Sequence, residues 1–218
     1  MKYKALLFGS IGTLIESSNI QRNSFNEAFK EAGLDWYWDH EDYTKLLKKS
    51  GGTKRIEDFA EKNNTTVDAK KIRERKTQIY NDKINSISIP PREGVLDVLE
   101  YAHKNNIKTG FVTSTTTDNI DAVFKTLNNQ IKKNHFDFIG NNTLIKKAKP
   151  SPDIYIKALN SLELNSSECI AIEDTVESAL SADRAKIKCI AFPGLFHIDD
   201  DFSFCLKKLD KLNVSIFN

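Results

Sequence analysis

Residues 110–127 read Gly110-Phe111-Val112-Thr113-Ser114-Thr115-Thr116-Thr117-Asp118-Asn119-Ile120-Asp121-Ala122-Val123-Phe124-Lys125-Thr126-Leu127. The stretch changes period in its middle. Gly110 to Val112 is an apolar run of buried-strand length; after a row of hydroxyl residues, Ile120, Val123, Phe124 and Leu127 fall at i, i+3, i+4 and i+7, one face of a helix. Working outward, the runs Ala5 to Phe8, Phe136 to Ile139, Cys169 to Ile172 and Cys189 to Phe192 have the same strand character. A second helical stripe, Tyr155, Ala158, Leu159 and Leu162, follows Ser151 as its expected cap and Pro152 at the expected first helical position. Strand and helix alternating from Pro90 onward predict an α/β fold: a parallel, doubly wound, Rossmann-like sheet covered on both faces in three layers.

The interval from Glu16 to Ile87 breaks the alternation. It holds no strand run but several helical patterns, beginning with Ser18 as cap, Phe25, Ala28, Phe29 and Ala32 on one face, and Gly33 as terminator. Asp39 to Lys49, Thr53 to Asn63 and Val67 to Asn85 supply further helices, with Gly51-Gly52 as a loop. The expected organisation is a core domain of residues 1–15 and 88–218 with a helical domain, 16–87, inserted into it. Near the C-terminus, Asp199-Asp200-Asp201 reads as the start of a short helix bearing Phe202, Leu206 and Leu209.

The 218 residues carry 32 Lys+Arg against 30 Asp+Glu, and a net charge of +2 gives no bulk attraction to nucleic acid or to a membrane surface. A 39% hydrophobic content suffices for an ordinary core. No run approaches the roughly 20 apolar residues of a membrane span, and Ala5 to Phe8 is too short for a signal segment, so a cytoplasmic location is expected. Cys169, Cys189 and Cys205 fit no metal spacing and are expected as reduced thiols, two of them in the core.

In an open parallel sheet, ligands bind beyond the carboxyl ends of the strands. That rule selects Gly9-Ser10-Ile11-Gly12-Thr13, Thr113-Ser114-Thr115, Glu173-Asp174-Thr175 and Lys149. A glycine turn, hydroxyls, a lysine and an acidic pair together make a phosphate and metal pocket. Each also has a plain structural role: Asp174 as N-cap of a helix bearing Val176, Ala179 and Leu180, Thr113 and Ser114 as a strand end, Lys149 as a solvated lysine beside Lys146 and Lys147. Trp36, Tyr37 and Trp38 read as packing within the helical domain.

These motifs resemble those of the haloacid dehalogenase-like (HAD) phosphohydrolases, in particular their sugar-phosphate branch with a helical cap, which includes β-phosphoglucomutase. The resemblance covers nearly the whole chain. It rests on Phe8 to Leu14, Gly110 to Ser114, Lys149-Pro150-Ser151-Pro152-Asp153 and Ile172-Glu173-Asp174-Thr175, four motifs in order around a correctly placed insertion. Within the insertion, Gly33 to Asp39 and Ser50-Gly51-Gly52-Thr53-Lys54-Arg55-Ile56 are most similar to the CbbY-type phosphatases.

The resemblance implies a nucleophilic aspartate at position 9 and an acid/base aspartate at position 11. Here those positions hold Gly9 and Ile11, and neither can attack phosphorus or move a proton. No shifted carboxylate replaces them, because the first aspartate is Asp35 and the only acid before Glu27 is Glu16. Alternation along the strand turns Ser10 away from both positions. Loss of such a nucleophile costs about a million-fold in rate, about 8 kcal/mol of barrier. The resemblance further implies phosphate binding by Thr113, Ser114, Lys149, Ser10 and Gly12, and substrate contacts from Gly52, Lys54 and Arg55. It implies Mg²⁺ on Asp174 with Glu173, held weakly once a carboxylate at position 9 is gone. Asp174 against Lys149 then balances to zero charge, as the intact set of aspartates, lysine and Mg²⁺ does. The expected function is that of a sugar-phosphate phosphatase homologue, catalytically disabled, which binds phosphate or a phosphosugar without metal. Two alternatives stay open: a Mg²⁺-dependent phosphatase of a phosphosugar such as xylulose bisphosphate, using another nucleophile or a metal-activated water at Glu173 and Asp174, and a module whose cap surface binds a protein partner.

Overall fold

The computed structural model describes residues 3–48 and 51–217. It divides into two compact units, Met1–Glu16 with Ser88–Asn218, and Ser17–Ile87. The first is built on β1 (Ala5–Phe8), β2 (Lys108–Phe111), β3 (Phe138–Ile139), β4 (Cys169–Glu173), β5 (Lys188–Ala191) and β6 (Lys207–Lys208). All neighbouring pairs are parallel, in the order β3-β2-β1-β4-β5-β6. Central strands of such a sheet are covered on both faces, and every residue of β1 and β4 is buried. On one face Leu7, Val112, Ala171 and Cys189 pack against Tyr155 and Ala158. Elsewhere in this unit Phe8, Phe111, Phe124 and Phe136 meet ring to ring, with centroids 5.8–6.3 Å apart. The chain order reverses between β1 and β4, which places the tips of these two strands side by side at the switch point where doubly wound sheets bind ligands.

The helices of this unit are α1 (Ile11–Leu14), α6 (Val95–Lys104), α7 (Thr117–Thr126), α8 (Asp153–Leu162) and α9 (Val176–Arg184). The unit Ser17–Ile87 contributes α2 (Ser18–Glu31), α3 (His40–Leu47), α4 (Gly52–Lys62) and α5 (Ala69–Ser86). Gly33, at φ +71°, ends α2, with its N–H on Lys30 O and the Leu34 N–H on Phe29 O. Fully buried Trp38 is the hub of this unit's core, with Phe25, Phe29, Phe59 and Tyr43 at 4.6–6.1 Å. Tyr37 points outward, 66% exposed. Lys49 and Ser50, where the second expected helix of the insertion ends and its second motif begins, lie outside the described residues.

Four local expectations are corrected. Ser17, not Ser18, precedes α2. Ser151 does not cap α8: Pro152 holds that place, and the Ser151 hydroxyl instead bonds Asp153. The N-cap of α9 is Thr175, whose hydroxyl accepts from the Ser178 N–H at 3.2 Å, so Asp174 is not consumed as a cap. No helix forms at Asp199–Leu209; the chain turns and adds β6 to the sheet edge, where a strand of two lysines has no apolar signature to read. The three cysteines are free thiols, Cys169 and Cys189 buried and Cys205 half-buried, and the Cys189 thiol donates to Ile190 O at 3.5 Å. No described helix is long and apolar enough to cross a membrane.

Candidate phosphate site

In the β1–β4 ladder Phe8 faces Ile172, so the next residues, Gly9 and Glu173, are neighbours at the two strand tips. Gly9 is buried and donates its N–H to Ile172 O at 2.9 Å. Its backbone is not left-handed, so the glycine answers a demand for space rather than for conformation. That space is taken: a Cβ built on Gly9 would lie 1.9 Å from Glu173 Oε1 and 2.1 Å from its carboxyl carbon. The Glu173 carboxylate therefore occupies the volume that any side chain at position 9 would need.

Two donors fix it there. Lys149 Nζ lies 2.6 Å from Glu173 Oε1, with side-chain exposures of 6% and 0%, and Tyr155 donates its hydroxyl to the same oxygen at 2.6 Å. Lys149 also bonds Gly9 O. The other oxygen, Oε2, is buried without a partner. Burial pushes the Glu173 carboxyl up to about 7 against the opposing pull of Lys149, and raises the Tyr155 phenol well above its ordinary value. Lys149 is thus no solvated surface lysine. The balance of Lys149 against Asp174 alone omits Glu173, whose carboxylate is the one that pairs with the lysine.

Asp174 faces the turn after β1. Ser10 Oγ donates to its Oδ1 at 2.6 Å, and a Cβ on Gly12 would meet its Oδ2 at 1.8 Å, so Gly12 too is small because a carboxylate is close. Thr13 braces the turn through its hydroxyl on Ser10 O at 2.6 Å. Ile11 lies within this turn as the first residue of α1 and brings no polar atom. Beyond β2, Thr113 is buried and its hydroxyl accepts the Thr115 N–H at 3.2 Å, while Ser114 is half-buried. Arg92, singled out by no sequence motif, ties the surrounding loops. Its guanidinium donates to Gly12 O, Phe192 O and Pro193 O at 2.6–2.8 Å and stacks 3.4 Å from the Phe192 ring centroid.

The donor set does not fit Mg²⁺. Position 9 offers no side-chain oxygen, Glu173 Oε1 is shared by Lys149 and Tyr155, and Asp174 Oδ1 is taken by Ser10. No group of three His, Cys, Asp or Glu suited to a metal occurs among the described residues. A hard cation that demands near-octahedral oxygen ligands finds one accessible carboxylate here at most.

Gly52, Lys54 and Arg55, the residues proposed for the inserted domain, share the first turn of α4 but have different surroundings. Lys54 is exposed on α4 and pairs with Asp58 at 2.6 Å. Arg55 is buried and donates Nε to Leu46 O at 2.9 Å, with its guanidinium 5.9 Å from the Tyr43 ring centroid. Gly52 gives room to Arg73, whose Nε would lie 2.3 Å from a Cβ there. Lys76, also unnoticed in the sequence, is buried over the rings of Phe25 and Tyr80 at 4.8 and 4.9 Å, and burial next to Arg73 and Arg55 holds its amine well below the ordinary value.

A glycine turn, a strand-end threonine, a buried lysine and an acidic pair thus lie at the strand ends of a doubly wound parallel α/β core, where such sheets take ligands. The chain belongs to the haloacid dehalogenase-like hydrolase family, whose family model it matches over residues 11–192. It is 34% identical over 206 residues to Protein CbbY of Rhodobacter capsulatus, covering 93% of this chain and 91% of the relative. Among solved structures it is similar to CbbY from Rhodobacter sphaeroides in complex with phosphate, and to a mutant of that protein in complex with xylulose-(1,5)bisphosphate. Each superposes with a TM-score of 0.84 at 30% identity, covering 96% of this chain and 94% of the other.

Proposed function

We propose that this chain is a sugar-phosphate phosphatase homologue that recognises phosphate or a phosphosugar and does not perform the family's aspartyl-phosphate chemistry. The observation that carries this reading is the tip of β1: Gly9 and Ile11 supply no carboxylate, and the volume at position 9 is filled by Glu173. A carboxylate lodged behind the strand tip, with one oxygen bonded to Lys149 and Tyr155 and the other buried, is not presented to an incoming phosphorus. The groups suited to recognition are Lys149 as the charge and Thr113 with Ser114 as hydroxyl donors. Backbone N–H groups of the Ser10–Gly12 turn add to them. Likeness to a protein solved with phosphate and with xylulose-(1,5)bisphosphate supports a small phosphorylated sugar as the ligand class.

Calorimetric titration of inorganic phosphate and xylulose bisphosphate in the presence of chelator tests the recognition half. The parent is expected to bind without metal and Lys149→Ala to lose binding. Equal binding by both proteins would overturn the assignment of Lys149.

A further inference from the structure

Lys149 is the cation expected to meet a phosphate, yet two of its three N–H donors are engaged, one by Gly9 O and one by Glu173 Oε1. Glu173 reaches it only because position 9 lacks a Cβ, since any side chain there would collide with the carboxylate. Glu173 is therefore an anion bound within the chain at the lysine that the family's phosphate site would use. Its seat is incomplete. Oε2 has no partner in a site shielded from water, a costly state for a carboxylate oxygen, and it regains hydrogen bonds when the side chain swings out.

We propose that Glu173 is a displaceable internal occupant of the phosphate site. Its carboxylate fills the space left at position 9, pairs with Lys149, and must be expelled before a phosphate can bind. The inference rests on the recognition reading above and adds to it what sets the affinity. Carboxylate and phosphate cannot share Lys149 at close range, because like charges forced together in a shielded site oppose one another strongly. The site then discriminates for ligands with enough anionic charge to win the lysine, so dianionic phosphate esters are favoured over monoanionic sulfate esters and carboxylates.

The test is calorimetric titration of inorganic phosphate in chelator at about pH 8.5, where both Glu173 and the phosphate carry their full charge, against the parent, Glu173→Gln, Tyr155→Phe and Lys149→Ala. Glu173→Gln keeps the shape and one hydrogen-bond acceptor while removing the competing charge, and is expected to bind at least about tenfold more tightly than the parent. Tyr155→Phe removes one of the two donors that hold the carboxylate and is expected to tighten binding by a smaller factor. It also decides the matter should Glu173→Gln fail to fold. Unchanged or weaker binding by the folded variants, with parent binding still lost in Lys149→Ala, would overturn the internal-occupant proposal and leave recognition standing. Absence of binding in the parent and in the Glu173 and Tyr155 variants alike would overturn both.

Discussion

Gly9→Ala is the smallest change that probes the β1 tip. The added Cβ would lie 1.9 Å from Glu173 Oε1 and 2.5 Å from Oε2, so the carboxylate must leave its seat. Leaving breaks the 2.6 Å bonds from Lys149 and Tyr155. Overpacking of a tight interior costs about 1–3 kcal/mol, and losing a hydrogen bond to a charged group costs about 1.5–3 kcal/mol, partly offset by hydration of the freed carboxylate. The expected destabilisation is about 3–5 kcal/mol, far above that of an ordinary glycine-to-alanine change at a permissive backbone. Glu173→Ala alone should cost a similar amount, about 3–5 kcal/mol, because it leaves Lys149 buried without its partner. In that background the same Cβ meets no carboxylate, and Gly9→Ala should cost less than about 1 kcal/mol. Denaturant unfolding of the four proteins gives the cycle, with an expected coupling of about 3 kcal/mol. Additivity to within about 0.5 kcal/mol would refute the claim that Glu173 occupies the place of a side chain at position 9.

Glu173, raised to about 7 from an ordinary 4.5, holds its proton more tightly folded than unfolded, so its contribution is fully present below about 4.5 and is lost as pH rises through about 7. The loss is up to about 3 kcal/mol, and the slope should vanish in Glu173→Gln; a parent whose denaturation midpoint rises over that window would contradict the assignment. Arg92→Met removes the donors to three backbone carbonyls and should destabilise the core unit by about 2–4 kcal/mol in urea unfolding, whereas a change below about 0.5 kcal/mol would show the loops held by other contacts. Trp38→Ala empties the hub of the helical unit and should cost about 3–5 kcal/mol, read as loss of amide-exchange protection in α2 and α5; unaltered protection there would contradict its place in the packing.

The sheet was legible because its strands announce themselves: Ala5–Phe8 and Cys169–Ile172 are apolar throughout, as befits strands covered on both faces. The sheet edge was not, since Lys207–Lys208 pairs through its backbone and shows no apolar pattern. Motif order was enough to name Lys149, Asp174 and the empty positions 9 and 11. It could not show where Glu173 points, because that depends on β1 lying next to β4 and on a cavity created by an absent side chain. Once the adjacency is known, the pairing of an unexpected glycine with a cross-strand glutamate becomes a readable signal. Tyr155 was visible only as part of an apolar helical stripe; its ring serves that stripe while its hydroxyl serves Glu173. Arg92 and Lys76 acquire their meaning from burial, which the charge pattern of the chain does not report.

The central claim is recognition without turnover. Its most direct test is phosphate release from xylulose bisphosphate and a panel of sugar monophosphates by the parent protein with Mg²⁺ supplied, beside Lys149→Ala as control. No release above the control is expected from any substrate. Release by the parent that Lys149→Ala abolishes would contradict it and would make this chain an enzyme with a nucleophile other than the residue at position 9.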